Sequence, residues 1–437
     1  MRKHEFVGYD NYKATEIQWL ENIPEHWTID RVKNLTSTQS GTTPPSEVSE
    51  YYDGGSIYWV RTTDLNNNRL NTSEYKITDL ALEHLGLKFI PANSVLLAMY
   101  GGMGTIGKNS ILDTSVTINQ SVCAILPNNK NFNATYLWYY VQYFRPNWEI
   151  FANSARKDPN INQEVIKRLW VALPPLLEQQ AIADYLDAKT AQIDRKMELL
   201  EQKAAKYADL KQSLISETVT RGLNKTIPMK DSETEWIGQI PTHWEVKRIS
   251  DVASKQKIKN VGMKEKNLLS LSYGKLKRKD IGNNFGLLPE SFETYQIVSQ
   301  GNIILRLTDL QNDWTSLRVG LARERGIITS AYLCLRFSNL VNPAFAYYVL
   351  HVYDLSKIFY WLGSGLRSVM KFEDIKVLPF ILPPLEEQQA IADYLESKTA
   401  QIEKIIETIN LEVEKLKELR KTLINDVVTG KIKVYEG

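Results

Sequence analysis

The chain has 437 residues, 43% hydrophobic and 24% charged, the composition of a folded protein with more than one core. Lys and Arg number 53 against 51 Asp and Glu, so the net charge is only +2 and any preference for an acidic partner must come from local patches. No apolar run approaches the roughly 18 residues of a membrane span. The first 13 residues lack the apolar stretch of a signal peptide. The isolated Cys123 and Cys334 read as core residues of a reducing, cytoplasmic compartment, neither zinc ligands nor a disulfide.

Residues 19–27, WLENIPEHW, open the first copy of a tandem repeat; residues 236–244, WIGQIPTHW, open the second. His26 and His243 read as packing residues of this turn, because nothing near them has the spacing of a nucleophile–base pair or a metal site. Short strands follow at residues 95–99 and 122–126, and again at 303–307 and 332–337. Asn133 and Asn342, 209 residues apart, each cap an aromatic-rich helix. The shared caps predict one α/β (α+β) fold for both divergent segments.

Gly102, Gly104, Gly107 and Lys108 approximate a phosphate-binding loop. Asn109 stands where Ser or Thr would hold magnesium, and residues 110–118 read as strand where a helix is required. A tight cationic turn, plain or approaching a DNA backbone, fits better. There is no [DN]PP[FY] tetrad of an adenine methyltransferase. In the second segment, residues 255–280 carry nine Lys and Arg against Glu265 and Asp280, a local charge of +7 that suits phosphate contact or a solvated surface.

The strongest signal comes after each segment. Residues 174–194, PPLLEQQAIADYLDAKTAQID, and 383–403, PPLEEQQAIADYLESKTAQIE, are identical at 17 of 21 positions. Pro175 and Pro384 suit a first helical turn. Ile193, Met197, Leu200, Ala204, Tyr207, Leu210 and Leu214 repeat at 3–4 spacing, as do Ile402, Ile406, Ile409, Val413, Leu416, Leu419 and Leu423. Connectivity makes a pairing of these helices antiparallel, with a pseudo-twofold axis relating the halves. The expected divisions are residues 1–173, a first domain; 174–222, a first long helix; 223–382, a second domain; and 383–437, a second long helix and tail.

Duplicated LPPLxEQQAIAxYLxxKTAQI helices after divergent domains resemble the specificity subunit of type I restriction–modification enzymes. Residues 41–45 (GTTPP), Asn119–Gln120 and residues 219–222 (VTRG) look like that family's connecting motifs. The resemblance implies two tandem target-recognition domains, each reading half of a bipartite DNA site, with the paired helices setting the spacer. It implies no catalysis in this chain. It also implies double-stranded DNA, two methyltransferase subunits and two restriction/translocase subunits as partners in phage defence. S-adenosylmethionine, ATP and magnesium belong to those partners. Candidate DNA contacts in the first domain are Thr42, Thr43, Arg61, Thr62, Lys108, Asn119, Gln120, Arg156 and Lys157. In the second they are Lys275, Lys277, Arg278, Lys279, Arg306, Arg318, Arg323, Arg325 and Arg367, arginine being well shaped for guanine edges. A modification-only complex and a coiled-coil scaffold that never touches DNA remain as rivals.

Overall fold

The computed structural model describes residues 7–101, 104–152, 160–279, 291–310, 312–362 and 369–435. The chain forms two compact units, residues 1–200 with 411–437, and residues 201–410.

The first unit is built on a five-stranded sheet in the order Thr38–Ser40, Val122–Ile125, Val95–Ala98, Asn109–Leu112, Asn68–Leu70. The second is built on four strands, Ala253–Gln256, Leu333–Phe337, Ile303–Leu305 and Val319–Leu321. Register shows that these are one fold. Cys123 lies between Ser40 and Leu97, and Cys334 lies at the equivalent place between Gln256 and Ile304. Both thiols are buried and free, and burial pushes each up to about 12.

The two domains weight the same pairings differently. Trp59 pairs in parallel with Thr117 within a strand pair, whereas its counterpart, Leu268 with Ile327, is a single parallel bridge. Conversely, Gln296–Val298 pairs fully with Gly326–Ile328, while the first domain keeps only the Ile90–Val116 bridge. The scaffold is therefore common to both, and the decoration is not.

Each domain closes on itself before the chain leaves it. Thr28–Arg31 pairs with Trp170–Leu173, and Glu245–Arg248 pairs with Pro379–Leu382, both antiparallel. Four helices complete the frame: α1 (Ala134–Phe144), α2 (Leu176–Arg221), α3 (Pro343–Leu355) and α4 (Leu385–Val428). The 46 residues of α2 and 44 of α4 make helices about 69 and 66 Å long.

The repeated Glu-Gln-Gln is a three-part lock. Glu178 accepts from Trp27 Nε1 at 3.0 Å and lies 2.8 Å from His26 Nε2. Gln179 accepts from the Asn133 amide at 2.8 Å and donates to the Pro174 carbonyl at 2.8 Å, and Gln180 accepts from the Asn133 side chain at 2.7 Å. In the second unit Glu387 meets Trp244 and His243 at 3.0 and 2.6 Å. Gln388 and Gln389 take the Asn342 amide and side chain at 2.8 and 2.6 Å. Asn133 and Asn342 also cap α1 and α3 through their side-chain oxygens. Three adjacent residues thus fasten the opening turn and the aromatic helix to the start of each long helix. That is why this block stayed identical while the domains diverged.

Within the first unit Asp194 bonds Arg420 at 2.9 Å and Lys196 bonds Glu412 at 2.7 Å. Numbers rise along α2 as they fall along α4, so the helices are antiparallel. In the second unit Lys211 meets Glu403 at 2.5 Å. Ile402, Ile409, Val413, Leu416 and Leu423 are buried, and Ile193, Met197, Leu200, Ala204, Tyr207, Leu214 and Ile406 are half-buried, along the seam. One expectation is corrected at each copy. Leu210 and Leu419 are 52% and 53% exposed. The seam steps by four there, from Tyr207 to Lys211 and from Leu416 to Arg420, whose long stems cover apolar surface while their charged ends pair with the opposite helix.

Candidate nucleic-acid interface

In the first unit, six of the polar candidates converge. Thr42 donates its amide to Ile118 O at 3.2 Å, the Thr43 hydroxyl donates to Gln120 Oε1, and the Gly41 amide donates to Asn119 O at 3.2 Å. Asn119 in turn donates its amide to Val60 O at 3.0 Å, at the end of the strand that leads to Arg61 and Thr62. The Arg61 guanidinium lies 3.2 Å from the centre of the Tyr75 ring, and its buried Nε has no hydrogen-bond partner among the described residues. Stacking that leaves donor capacity unused produces a cation held rigid and ready for a ligand. Gly41 cannot be replaced, since a Cβ there would fall 1.6 Å from Ile118 O.

The glycine-rich turn has a different role from phosphate binding of the nucleotide-hydrolase kind. It leads into the strand Asn109–Leu112, and the Asn109 side chain is buried, donating to Gly107 O at 3.1 Å. Gly107 has φ +71°, and a Cβ would strike the Trp148 ring at 2.2 Å. Lys108 is half-buried beside it. Gly102, Arg156, Lys157 and Arg367 lie outside the described residues.

In the second unit the lysines of residues 255–279 are all exposed. Lys275, Lys277 and Arg278 share the strand Lys275–Arg278, paired with Leu269–Ser272 in a hairpin, with Lys279 directly after it. Lys275 is bonded to Glu403 at 2.6 Å, and Arg278 is forked onto Glu324. Arg323 bonds Glu396 at 2.7 Å, Arg325 bonds Glu265 at 3.1 Å, and Arg306 lies 3.8 Å from Asp313. Lys277 and Lys279 have no ion pair among the described residues. Tyr273, which sequence reasoning passed over, is 85% exposed at the hairpin tip. An aromatic residue inside a lysine run was the available signal.

Arg318 is the clear correction. Its side chain is fully buried. It donates to Tyr360 Oη at 2.8 Å and to the carbonyls of Thr308, Arg306, Asp309 and Asp313 at 2.7, 3.1, 3.3 and 2.5 Å. Those bonds shape a loop from inside and leave nothing for a base. The loop's Asp313 is held far below the usual carboxylate range, first by hydrogen bonds from Ser316 and then by Thr315 and Arg318.

Among the described residues no group of His, Cys, Asp and Glu is placed to hold a metal, and no helix is long and apolar enough to cross a membrane. The architecture is a duplicated one, a common scaffold with divergent surfaces, each copy fastened to the start of a long helix. The family model for the type I restriction modification DNA specificity domain matches residues 24–205 and 241–415. The chain belongs to that family. It is 25% identical over 447 residues to a putative type I restriction enzyme MjaX specificity subunit of Methanocaldococcus jannaschii, covering 98% of both chains. It is 20% identical to the EcoKI specificity subunit of Escherichia coli, covering 94% of this chain and 90% of that one. A chain from a solved type I restriction–modification assembly superposes with TM-score 0.69 at 15% identity, covering 94% of this chain and 99% of the other. The HsdS subunit of Thermoanaerobacter tengcongensis superposes with TM-score 0.51 at 15% identity, covering 94% and 98%.

Proposed function

We propose that this chain is the non-catalytic DNA-reading subunit of a type I restriction–modification complex. Each domain reads one half of a bipartite site, and α2 and α4 fix the unread spacer between the halves. The observation that carries this reading is the contrast within the repeat. The Glu-Gln-Gln locks are the same in both units, while the polar surfaces differ: a Thr, Asn and stacked-Arg cluster in one and a lysine-rich hairpin in the other. A frame kept constant around divergent contents suits two modules doing one mechanical job on two different sequences. The lysine run argues for nucleic acid over a scaffold that binds only protein.

Two methyltransferase subunits and two restriction/translocase subunits complete the complex in the cytoplasm. S-adenosylmethionine, ATP and magnesium act in those partners. The test is a domain exchange. Replacing residues 32–169 by the matching segment of a relative, between closing strands that the frame already holds together, should change one half-site of the methylated sequence and leave the other. A change in both half-sites would contradict independent reading.

A further inference from the structure

In the first unit α1, residues 104–106 and the end of α4 enclose a crevice of about 430 Å³, the size of a small-ligand site. Four cations line it, Arg145, Lys417, Arg420 and Lys421, and among the described residues no acidic side chain does. Arg420 is paired with Asp194 and Lys417 with Glu414. Arg145 and Lys421 form no ion pair among the described residues. Arg145 is instead aimed by a bond to the Gly104 carbonyl at 2.8 Å, so the glycine-rich turn acts as the cation's bracket. On the same wall the Gln142 Nε2 donor is buried without a partner. Among the described residues, an unused donor and two unpaired cations face one cavity, an arrangement short of an anion.

The repeat supplies its own control. His351 stands 209 positions after Gln142, and Lys211 stands 209 before Arg420. The second unit has the corresponding crevice, about 390 Å³, lined by both. There, however, Glu396 and Glu403 also line the cavity, and they already bind Arg323, Lys211 and Lys275. Among the described residues, the same place is charge-satisfied in one unit and unsatisfied in the other.

We propose that the first unit's crevice is a phosphate-binding site. The phosphate belongs either to the backbone of bound DNA or to a free nucleotide, and the chemistry of the wall is the same for both. Only the DNA source rests on the DNA-reading function proposed above.

The test uses the full chain, inorganic tripolyphosphate as probe, and calorimetric titration. Lys417→Gln with Lys421→Gln should weaken tripolyphosphate binding at least tenfold, since two exposed helical positions lose charge without losing helix propensity. Lys415→Gln, exposed and outside the crevice, should leave binding unchanged, and thermal melting should show all variants folded. A parallel salt titration with random duplex separates the sources. A fall of about 1.8 in the slope of log affinity against log salt, about 0.9 for each lost contact, assigns the phosphate to DNA. An unchanged slope assigns it to a nucleotide. Unmodified protein that does not bind tripolyphosphate, or a double variant that binds it as well, overturns the proposal. Failure of the unmodified chain to bind any duplex would instead count against the DNA-reading function.

Discussion

The Arg420 guanidinium donates to Asp194 at 2.9 Å, and Lys211 meets Glu403 in the same way one repeat apart. The two pairs are repeat equivalents, 209 positions separating Lys211 from Arg420 and Asp194 from Glu403. Each pair occupies the step where Leu210 or Leu419 turns outward. An ion pair at a seam position specifies alignment more than it adds stability. Because Asp194 is half-exposed, an Arg420→Ala, Asp194→Ala double-mutant cycle in urea should give a coupling of about 0.5–1 kcal/mol. A coupling near 3 kcal/mol would mean that the pair is a principal source of stability.

The two Glu locks differ in depth, and their removal should differ accordingly. Glu178 is 2% exposed and serves His26, Trp27 and the Tyr9 hydroxyl, whose pKa is driven far up by burial and then by that carboxylate. Glu387 is 38% exposed and serves His243 and Trp244. Glu178→Ala leaves buried donors unsatisfied and should cost about 3 kcal/mol, whereas Glu387→Ala should cost about 1 kcal/mol because water can replace it. Equal losses of stability in chemical denaturation would refute the distinction.

Much of this architecture is legible in the sequence, and the reasons for the gaps are physical. Duplication is visible as identity, and Asn133 and Asn342 announce caps because the cap signal is local. The purpose of Glu-Gln-Gln is not visible, because Glu178 and its Trp27 partner lie 151 positions apart. Spacing alone places Leu210 and Leu419 on the seam because steps of three and four both fit a helical stripe, and only the facing helix decides between them. Sequence nominates Arg318 as a DNA contact because it gives charge without depth, and the side chain is fully buried. The Thr42, Thr43, Asn119, Gln120 cluster could be nominated residue by residue, but its convergence depends on the pairing of Thr117–Ile118 with Ile57–Val60.

On α3, His351 and Asp354 should pull stability in opposite directions with pH. Burial, aided by Lys211, lowers His351 to about 4, and burial raises Asp354 to about 6. The depressed histidine contributes stability that is present above its unfolded value of 6.5 and is lost as pH falls toward 4. The raised aspartate contributes stability that is present below 3.8 and is lost as pH rises through 6. The slopes oppose each other between pH 4 and 6. Relative to the unmodified chain, His351→Gln should therefore gain stability as pH falls from 6.5, and Asp354→Asn should gain as pH rises from 4. Each gain should amount to about 1.4 kcal/mol per pH unit at most. Urea melts at several pH values read this directly, and curves parallel to the unmodified protein would contradict it.

Arg318 and the hairpin lysines should separate folding from binding. Arg318→Ala removes the internal tie of a loop and strands several buried carbonyls, so it should destabilise the second unit by about 3 kcal/mol or more. Lys277→Ala with Lys279→Ala should leave the melting temperature unchanged. It should also lower the salt slope of DNA binding by up to about 1.8, with similar weakening for all sequences. Arg278 is omitted because Glu324 already holds it. A stable Arg318→Ala protein with selective loss of one half-site would reverse its assignment.

If α2 and α4 set the distance between the half-sites, lengthening both should change the spacer alone. One heptad inserted after Leu200 and one after Ile409 leaves Asp194 facing Arg420 and Lys211 facing Glu403, so both ion pairs persist. Seven residues add about 10 Å of helix. At roughly 3.4 Å per base pair along each strand that is about 3 pairs. Those pairs also rotate the second half-site by about 100° around the duplex, since a turn takes about 10–10.5 pairs. The rotation must be absorbed by the helix pair or by twisting DNA, both at an energetic cost. The expected result is weaker binding, with the preferred spacer longer by two or three pairs and both half-sites unchanged. Mapping of methylated adenines with the partner subunits present would show it. A folded, lengthened protein that keeps the original spacer would move the ruler from the helices to the domain junctions.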